Sequence, residues 1–465
     1  GDPGDPAGPG HCPERAEETQ MKRRKTLLWM GALLAALLAA FAAVSQIQPK
    51  TSSGKENSAQ SLGEADLTAF TVTYEQPMTF VKTETGWAYE ADDSFPLDQD
   101  KAQAMAEVLE TLSADKTIDS PSTDKTYGLD TPKCTVTFGN KTLKIGSDAA
   151  MDGGRYFSLG DGKVYITSAD ILSPFQYSML DLVELQEAPM MENLSQVTLE
   201  RKDGGTLVLR DRQKENLSYS QDYIWFYGDR PLDTENTEEL IRHGTDMTWE
   251  GCADYNAADP SAYGFDDPTL RLTVRYGTGT YTLEVGDALS GQYYARMNDS
   301  KIIYWMDATD VNALLQADPA DLYPNEVLLM DWDTVSSVTV RLAGETWRFT
   351  SATRDKVSTE AGETVEAGEQ ETYWLLNGSE VSLGDVLTSV TAMTPTGSAL
   401  GKSPARAMDL ELTVSREGKE DVTLCFYRDT ASQSLVTLNG ESTVCVNRTD
   451  VVTLCEAITA IVLAE

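Results

Sequence analysis

Histidine is nearly missing from this chain, with two in 465 residues, His11 and His243. His11 precedes the one long apolar run, so a single imidazole serves everything after it. That excludes the usual zinc constellations and counts against a Ser-His-Asp arrangement. Cysteine is also sparse, six in all. Setting Cys12 aside leaves Cys134, Cys252, Cys425, Cys445 and Cys455, an odd number too widely spread for a disulfide framework. Cys134 and Cys455 fall on apolar faces, where a buried free thiol is expected. A bond between Cys425 and Cys445, on neighbouring expected strands, stays open. Positive charge is short as well: 37 basic against 74 acidic side chains give a net charge of −37, and a polyanion of that size repels nucleic acid. Disorder is excluded in turn, because 41% of residues are hydrophobic and 8% aromatic.

Long hydrophobic runs are limited to one. Lys22, Arg23, Arg24 and Lys25 precede an uncharged stretch from Thr26 to Ile47, which as a helix is about 33 Å long and can span a bilayer. The cations hold the start in the cytoplasm, so 21–47 is expected to be a transmembrane helix or signal anchor with the rest outside. A signal peptide cleaved at Ala40-Phe41-Ala42 is the alternative. Residues 1–20 resemble nothing that follows and are set aside as an upstream extension. Residues 48–66, rich in Ser, Gly, Lys and Glu, have the composition of a flexible spacer.

From there the chain repeats itself. YGLDTP at Tyr127–Pro132 recurs as YGFDDP at Tyr263–Pro268, each before an alternating strand, and TLKIGSD at Thr142–Asp148 matches TLEVGDA at Thr282–Ala288. Asp170-Ile171-Leu172, Asp310-Val311-Asn312 and Asp450-Val451-Val452 stand 140 positions apart. Trp87, Trp225 and Trp374 each lead into a helix-patterned segment, namely Gln99–Leu112, Thr234–His243 and Leu383–Met393. The expected fold class is α+β. It consists of three tandem antiparallel-sheet units at 67–188, 189–325 and 326–465, each β-β-β-α-β-β-β-β-α and closing on a short helix at the aligned Asp.

The combination Y-G-[LF]-D-x-P, hydrophobic strand, T-L-x-[IV]-G, then an aromatic strand, behind a membrane segment, resembles the bacterial family catalogued as domain of unknown function 4340. The resemblance covers 67–320 well and 332–463 weakly. In the last unit LGKSP at Leu400–Pro404 replaces the loop, and Phe426 or Tyr427 stands where the second Gly would be. The resemblance implies a membrane-anchored extracytoplasmic protein, often encoded beside an ABC-2-type exporter and a gliding-motility-type protein. It supplies no catalytic residue, cofactor or metal ligand.

Residue by residue, structural readings outweigh functional ones. Asp130 and Asp266 are possible acceptors in a ligand loop, but a turn with Gly at positive φ, Asp capping its own backbone and Pro starting a strand accounts for them. Trp87, Trp225 and Trp374 read as core residues rather than sugar platforms. Trp249, Trp305, Trp332 and Trp347 are less regular and are the better candidates for an exposed aromatic contact. His243 with Gly244 reads as a helix C-terminus. GSALGKS at Gly397–Ser403 has three residues between its glycines, one too few for a phosphate loop. The acidic run Thr359–Glu371 reads as a solvated insertion, with weak divalent-cation binding as the alternative. The expected function is a non-catalytic accessory or scaffold protein with a single-pass membrane anchor and a protein partner in an ABC-type complex. A glycan- or polymer-binding module is the alternative, and a carboxylate-pair hydrolase the third.

Overall fold

The computed structural model describes residues 60–150, 153–214, 219–355 and 370–464. Thr26–Ile47, the expected membrane segment, lies outside the described residues. Among those described, no helix is long and apolar enough to cross a membrane. The spacer expected over 48–66 is docked from Gln60 onward. Gln60–Ser61 pairs with Ser113–Ala114, and the Lys141 ammonium donates to the carbonyls of Leu62 and Gly63 at 2.9 and 3.0 Å.

The strands form three large antiparallel sheets of eight, nine and nine strands. In the first, the spatial order is Gly86–Tyr89, Pro77–Thr83, Ala69–Thr73, Cys134–Phe138, Lys141–Ala149, Gly154–Ser158, Val164–Thr167 and Lys116–Ile118. Two meanders thus meet at the centre, where Ala69–Thr73 pairs with Cys134–Phe138. The second and third sheets follow the same order with one more edge strand each, Arg230–Pro231 and Ser379–Val381, so four strands rather than the expected three precede their crossing helices. Leu194–Arg201 pairs with Leu270–Tyr276 at the centre of one, and Val335–Leu342 with Met408–Arg416 at the centre of the other. The alternation Leu270, Leu272, Val274 buried against Arg271, Thr273, Arg275 less buried is the period-2 pattern that puts one face of a strand into a core.

After each outer strand the chain crosses one face of its sheet as a helix: Gln99–Thr111, Thr234–Thr245 and Leu383–Thr391. The first buries Ala102, Met105, Ala106 and Leu109, spaced three and four apart as a single helical face requires. Asp98 and Asp233 cap the first two by accepting from the N–H of Lys101 and Asn236. Ser382 makes no such bond and instead donates to Asp385 at 2.7 Å.

Several expectations need correction. Each crossing helix is followed by a strand the sequence pattern missed: Lys116–Ile118, Trp249–Asp254 and Pro395–Ser398. These form the far edges of the three sheets. Short and partly non-alternating, as in PTGS, they carry too little periodicity to be read. The closing helix exists at Asp310 (Ala308–Gln316) and Asp450 (Arg448–Leu463) but not at Asp170, where two 3-10 turns, Ser173–Phe175 and Leu180–Leu182, stand instead. Pro174 is the reason, since it has no N–H to give to the interior of a helix. Gly244 does not cap a helix either. The helix runs on to Thr245, and a Cβ on Gly244 would lie 2.2 Å from Leu272 Cδ2. It is glycine so that helix and sheet can touch.

Successive sheets are joined by buried side chains. One continuous core runs from Phe70 and Trp87 through Leu199 and Tyr281. Trp249 bridges the first two sheets, stacking on Tyr304 at 4.5 Å and donating to the Gln186 carbonyl at 2.7 Å. Phe95 meets Tyr255 edge-on at 4.9 Å, and the Tyr255 hydroxyl donates to Asp92 at 3.1 Å. The second core is built on the third sheet and takes in Tyr219, Tyr223 and Phe226 from the second. Asp331 fastens that junction, accepting from Ser220 Oγ at 3.1 Å and the Gln221 N–H at 2.8 Å.

Candidate functional site

The YG loops lie on the sheet face opposite the crossing helix. Gly128 (φ 70°) and Gly264 (φ 87°) are left-handed, as the turn requires. Leu129 and Phe265, one residue on, plug small satellite cores, with Val164 and Tyr156 in the first sheet and Ile303 and Tyr294 in the second. The second glycine of the pattern belongs to the same device. A Cβ on Gly146 would stand 2.3 Å from the Tyr127 carbonyl oxygen, and one on Gly286 2.0 Å from that of Tyr263. The loop backbone rests directly on the strand, so the two motifs occur together for a steric reason. Asp130 and Asp266 are exposed and make no hydrogen bond among the described residues. The self-capping expected of them is taken over by backbone, with the Gly128 N–H bonding the Asp124 carbonyl.

The tryptophans divide as follows. Trp87, Trp225 and Trp374 are core residues, Trp87 meeting Phe70 edge-on at 4.9 Å. The four irregular ones offer no open platform. Trp249 fills the junction described above, Trp305 leans on Tyr294 at 4.4 Å, Trp332 donates to Thr391 Oγ1 at 3.2 Å, and Trp347 packs half-buried against the third core.

The other singled-out residues are also accounted for. His243 Nδ1 lies 2.8 Å from Asp310 Oδ1, tying the crossing helix to the closing one. Gly397 is in a strand, and the residues after Lys402 form no helix, so GSALGKS lacks the helix N-terminus that holds phosphate. Cys134, Cys252, Cys425, Cys445 and Cys455 are all free. Cys425 and Cys445 are not on adjacent strands, because Gln433–Leu438 runs between theirs. Two strand spacings, about 9.6 Å, exceed disulfide reach. Of the acidic run, 359–369 lies outside the described residues, and Glu371 pairs with Arg354. Among the described residues no group of three or more His, Cys, Asp or Glu side chains is placed to hold a metal ion.

Sequence reading missed a cleft of about 770 Å³ at the junction of the second and third sheets. The second sheet's side contributes Tyr219, Tyr223, Tyr227 and Arg230, and the connecting segment contributes Tyr323 and Glu326. Turns of the third sheet supply Glu420, Asp421 and Glu441. Arg230 stacks on Tyr323, its Cζ 3.6 Å from the ring centroid. Tyr219 and Tyr223 meet edge-on at 5.4 Å, and burial pushes both phenols up. Burial also raises the Glu326 carboxyl, helped by the nearby charges of Asp233 and Asp222. These residues come from four separated stretches with no shared motif; the Tyr-rich composition of 219–227 was the only signal.

A family model described as Domain of unknown function (DUF4340) matches residues 87–223 and 223–394. The chain belongs to that family. The two DUF4340 segments begin at Trp87 and Tyr223, at or just before the outer strand of a meander rather than at its first strand. Two segments are matched where the sequence suggested three units, and the third sheet's strands from Pro395 onward lie outside both. No curated protein and no solved structure matches the chain.

Proposed function

We propose that the chain works without catalysis, as a membrane-anchored accessory or scaffold subunit of an ABC-type export or cell-surface machine, with its sheets on the extracytoplasmic side. The observation that carries this reading is the pair of junctions joined by buried side chains. Trp249 with Phe95 and Tyr255 joins the first sheet to the second, and Tyr219, Tyr223 and Asp331 join the second to the third. Buried apolar contact of this kind opposes hinge motion between sheets, which suits a part that holds partners at set positions. The singled-out loop and tryptophan residues are accounted for by packing, which agrees with that role. The basic start before Thr26–Ile47 supports the orientation, and the family resemblance supports the class of partner. The tyrosines of the cleft favour, as a second reading, a cell-surface glycan- or polymer-binding module.

Crosslinking and pull-down of the full chain from native membranes test the first reading. Transporter subunits are expected as the recurrent captured proteins, and capture of none of them in the membrane fraction would defeat it. For topology, in a chain with its native cysteines replaced, a membrane-impermeant thiol probe is expected to label Ser58→Cys in intact cells but not Lys22→Cys. The reverse labelling would overturn the orientation.

A further inference from the structure

The cleft between the second and third sheets is negative and aromatic at once. Glu326, Glu420, Asp421 and Glu441 bring carboxylates to it. Asp229, also at its edge, is neutralised by Arg212 at 2.8 Å. Arg230 is the one guanidinium that lines the cleft, and it is committed to the face of Tyr323. Carboxylates therefore outnumber cations there.

Two polar side chains of this cleft make no hydrogen bond to protein through their oxygens among the described residues. Glu326 is half-buried and makes neither an ion pair nor a hydrogen bond. It lines the same cleft as Tyr219 and Tyr223. Tyr219 is only 4% exposed, and its hydroxyl has no hydrogen bond even though Arg230 and Arg416 also act on it electrostatically. A carboxylate withdrawn from water among other acids is costly until a cation joins it.

The acids do not converge as metal ligands, so a compact divalent ion does not fit the lining. Tyrosine faces beside carboxylates suit a cation that carries its own apolar stem. We infer that this cleft binds an alkylammonium group, carried either by a free polyamine or by a lysine side chain of a peptide. The ammonium N–H groups donate to the Glu326 carboxylate and to the Tyr219 hydroxyl oxygen, and the methylene stem lies along the exposed ring of Tyr227. This site adds a ligand to the accessory role and does not depend on it.

Calorimetric titration of the full chain at physiological ionic strength, with spermidine and separately with acetyl-Lys-Lys-amide, tests the inference. At least one probe is expected to bind with a Kd of about 1 mM or tighter. Spermidine alone would identify a free polyamine, the peptide alone a protein segment, and both the shared chemistry. Glu326→Gln is expected to weaken binding about tenfold or more, and Tyr219→Phe severalfold. The paired change Glu238→Gln with Glu239→Gln, at exposed positions on the crossing helix, is expected to leave binding unchanged. If Glu326→Gln fails to fold, Tyr219→Phe, which removes one oxygen, carries the comparison. The inference is overturned if neither amine binds, or if the exposed pair weakens binding as much as the cleft variants, which would mark diffuse attraction to a polyanion. Binding of a neutral oligosaccharide, maltohexaose, more tightly than either amine would also overturn it.

Discussion

The second and third sheets share one strand order but secure the face opposite their crossing helix in different ways. In the second, the Tyr263-Gly264-Phe265 loop lies on Gly286, and Phe265 fills the space beneath it. In the third, Phe426 pairs with Leu410 as Val285 pairs with Leu270, so Tyr427 stands where the strand glycine would be, and its side chain takes the space on which loop backbone would rest. Gly401 still turns at φ 74°, but a Cβ on it would meet nothing within 4 Å. Its satellite core is the smaller group Ala399, Leu435 and Cys445, with Tyr427 against it. The two-glycine pattern is thus a packing device in which each glycine requires the other, and losing one relaxes the constraint on both. This explains the weaker resemblance of the third region without invoking lost function.

The largest expected effect from testing that comparison is at the strand glycines. Gly286→Ala and Gly146→Ala push a Cβ onto a carbonyl oxygen at 2.0 and 2.3 Å, and each is expected to cost about 3 kcal/mol in denaturant-unfolding measurements. A cost below 1 kcal/mol would mean that the loops are not held as described.

A second comparison sets the two turn glycines against each other. Gly264→Ala and Gly401→Ala share the left-handed penalty of about 1–2 kcal/mol, but only Gly264 adds a contact, 2.7 Å to Asp287. Gly264→Ala is therefore expected to lower the melting temperature clearly more than Gly401→Ala. Equal losses would remove the distinction between the regions.

The second sheet also holds a charge network built on a buried carboxylate, whereas that of the third, Arg354 with Glu371 and Glu380, is exposed. Glu284 is 1% exposed and bonded to Arg271 and Arg296 at 2.5 and 2.6 Å. Glu284→Ala removes the carboxylate shared by the largely buried Arg296 and the half-exposed Arg271 and is expected to cost about 3 kcal/mol. Thermal unfolding with and without added salt would show whether the network, rather than the side-chain volume, carries that loss.

Much of the fold was legible because it is written in local, repeated signals. Alternating strands and a tryptophan before each of the three crossing helices identify the elements from sequence alone. The far-edge strands were not legible, since their pairing with the last strand of each meander is non-local and PTGS has no alternation to show. The helix expected at Asp170 failed on a single residue, Pro174, whose aligned positions in the other two regions fall within helices. Cys425 and Cys445 looked adjacent because the strand between them, Gln433–Leu438, was passed over. The cleft could not be found in sequence at all, as Tyr219, Glu326 and Glu441 meet only once two sheets have docked.

The smallest expected effect bears on the central claim, that the conspicuous loops are structural and not a working site. Asp130→Asn combined with Asp266→Asn removes two exposed charges from a chain of net charge −37 and touches no described hydrogen bond. The measurement is recovery of crosslinked membrane partners by the full-length double variant in cells, alongside its melting temperature and membrane localisation. The account predicts that all three match the unaltered chain. Loss of partner capture with melting temperature and localisation intact would make the loops the functional site and contradict it.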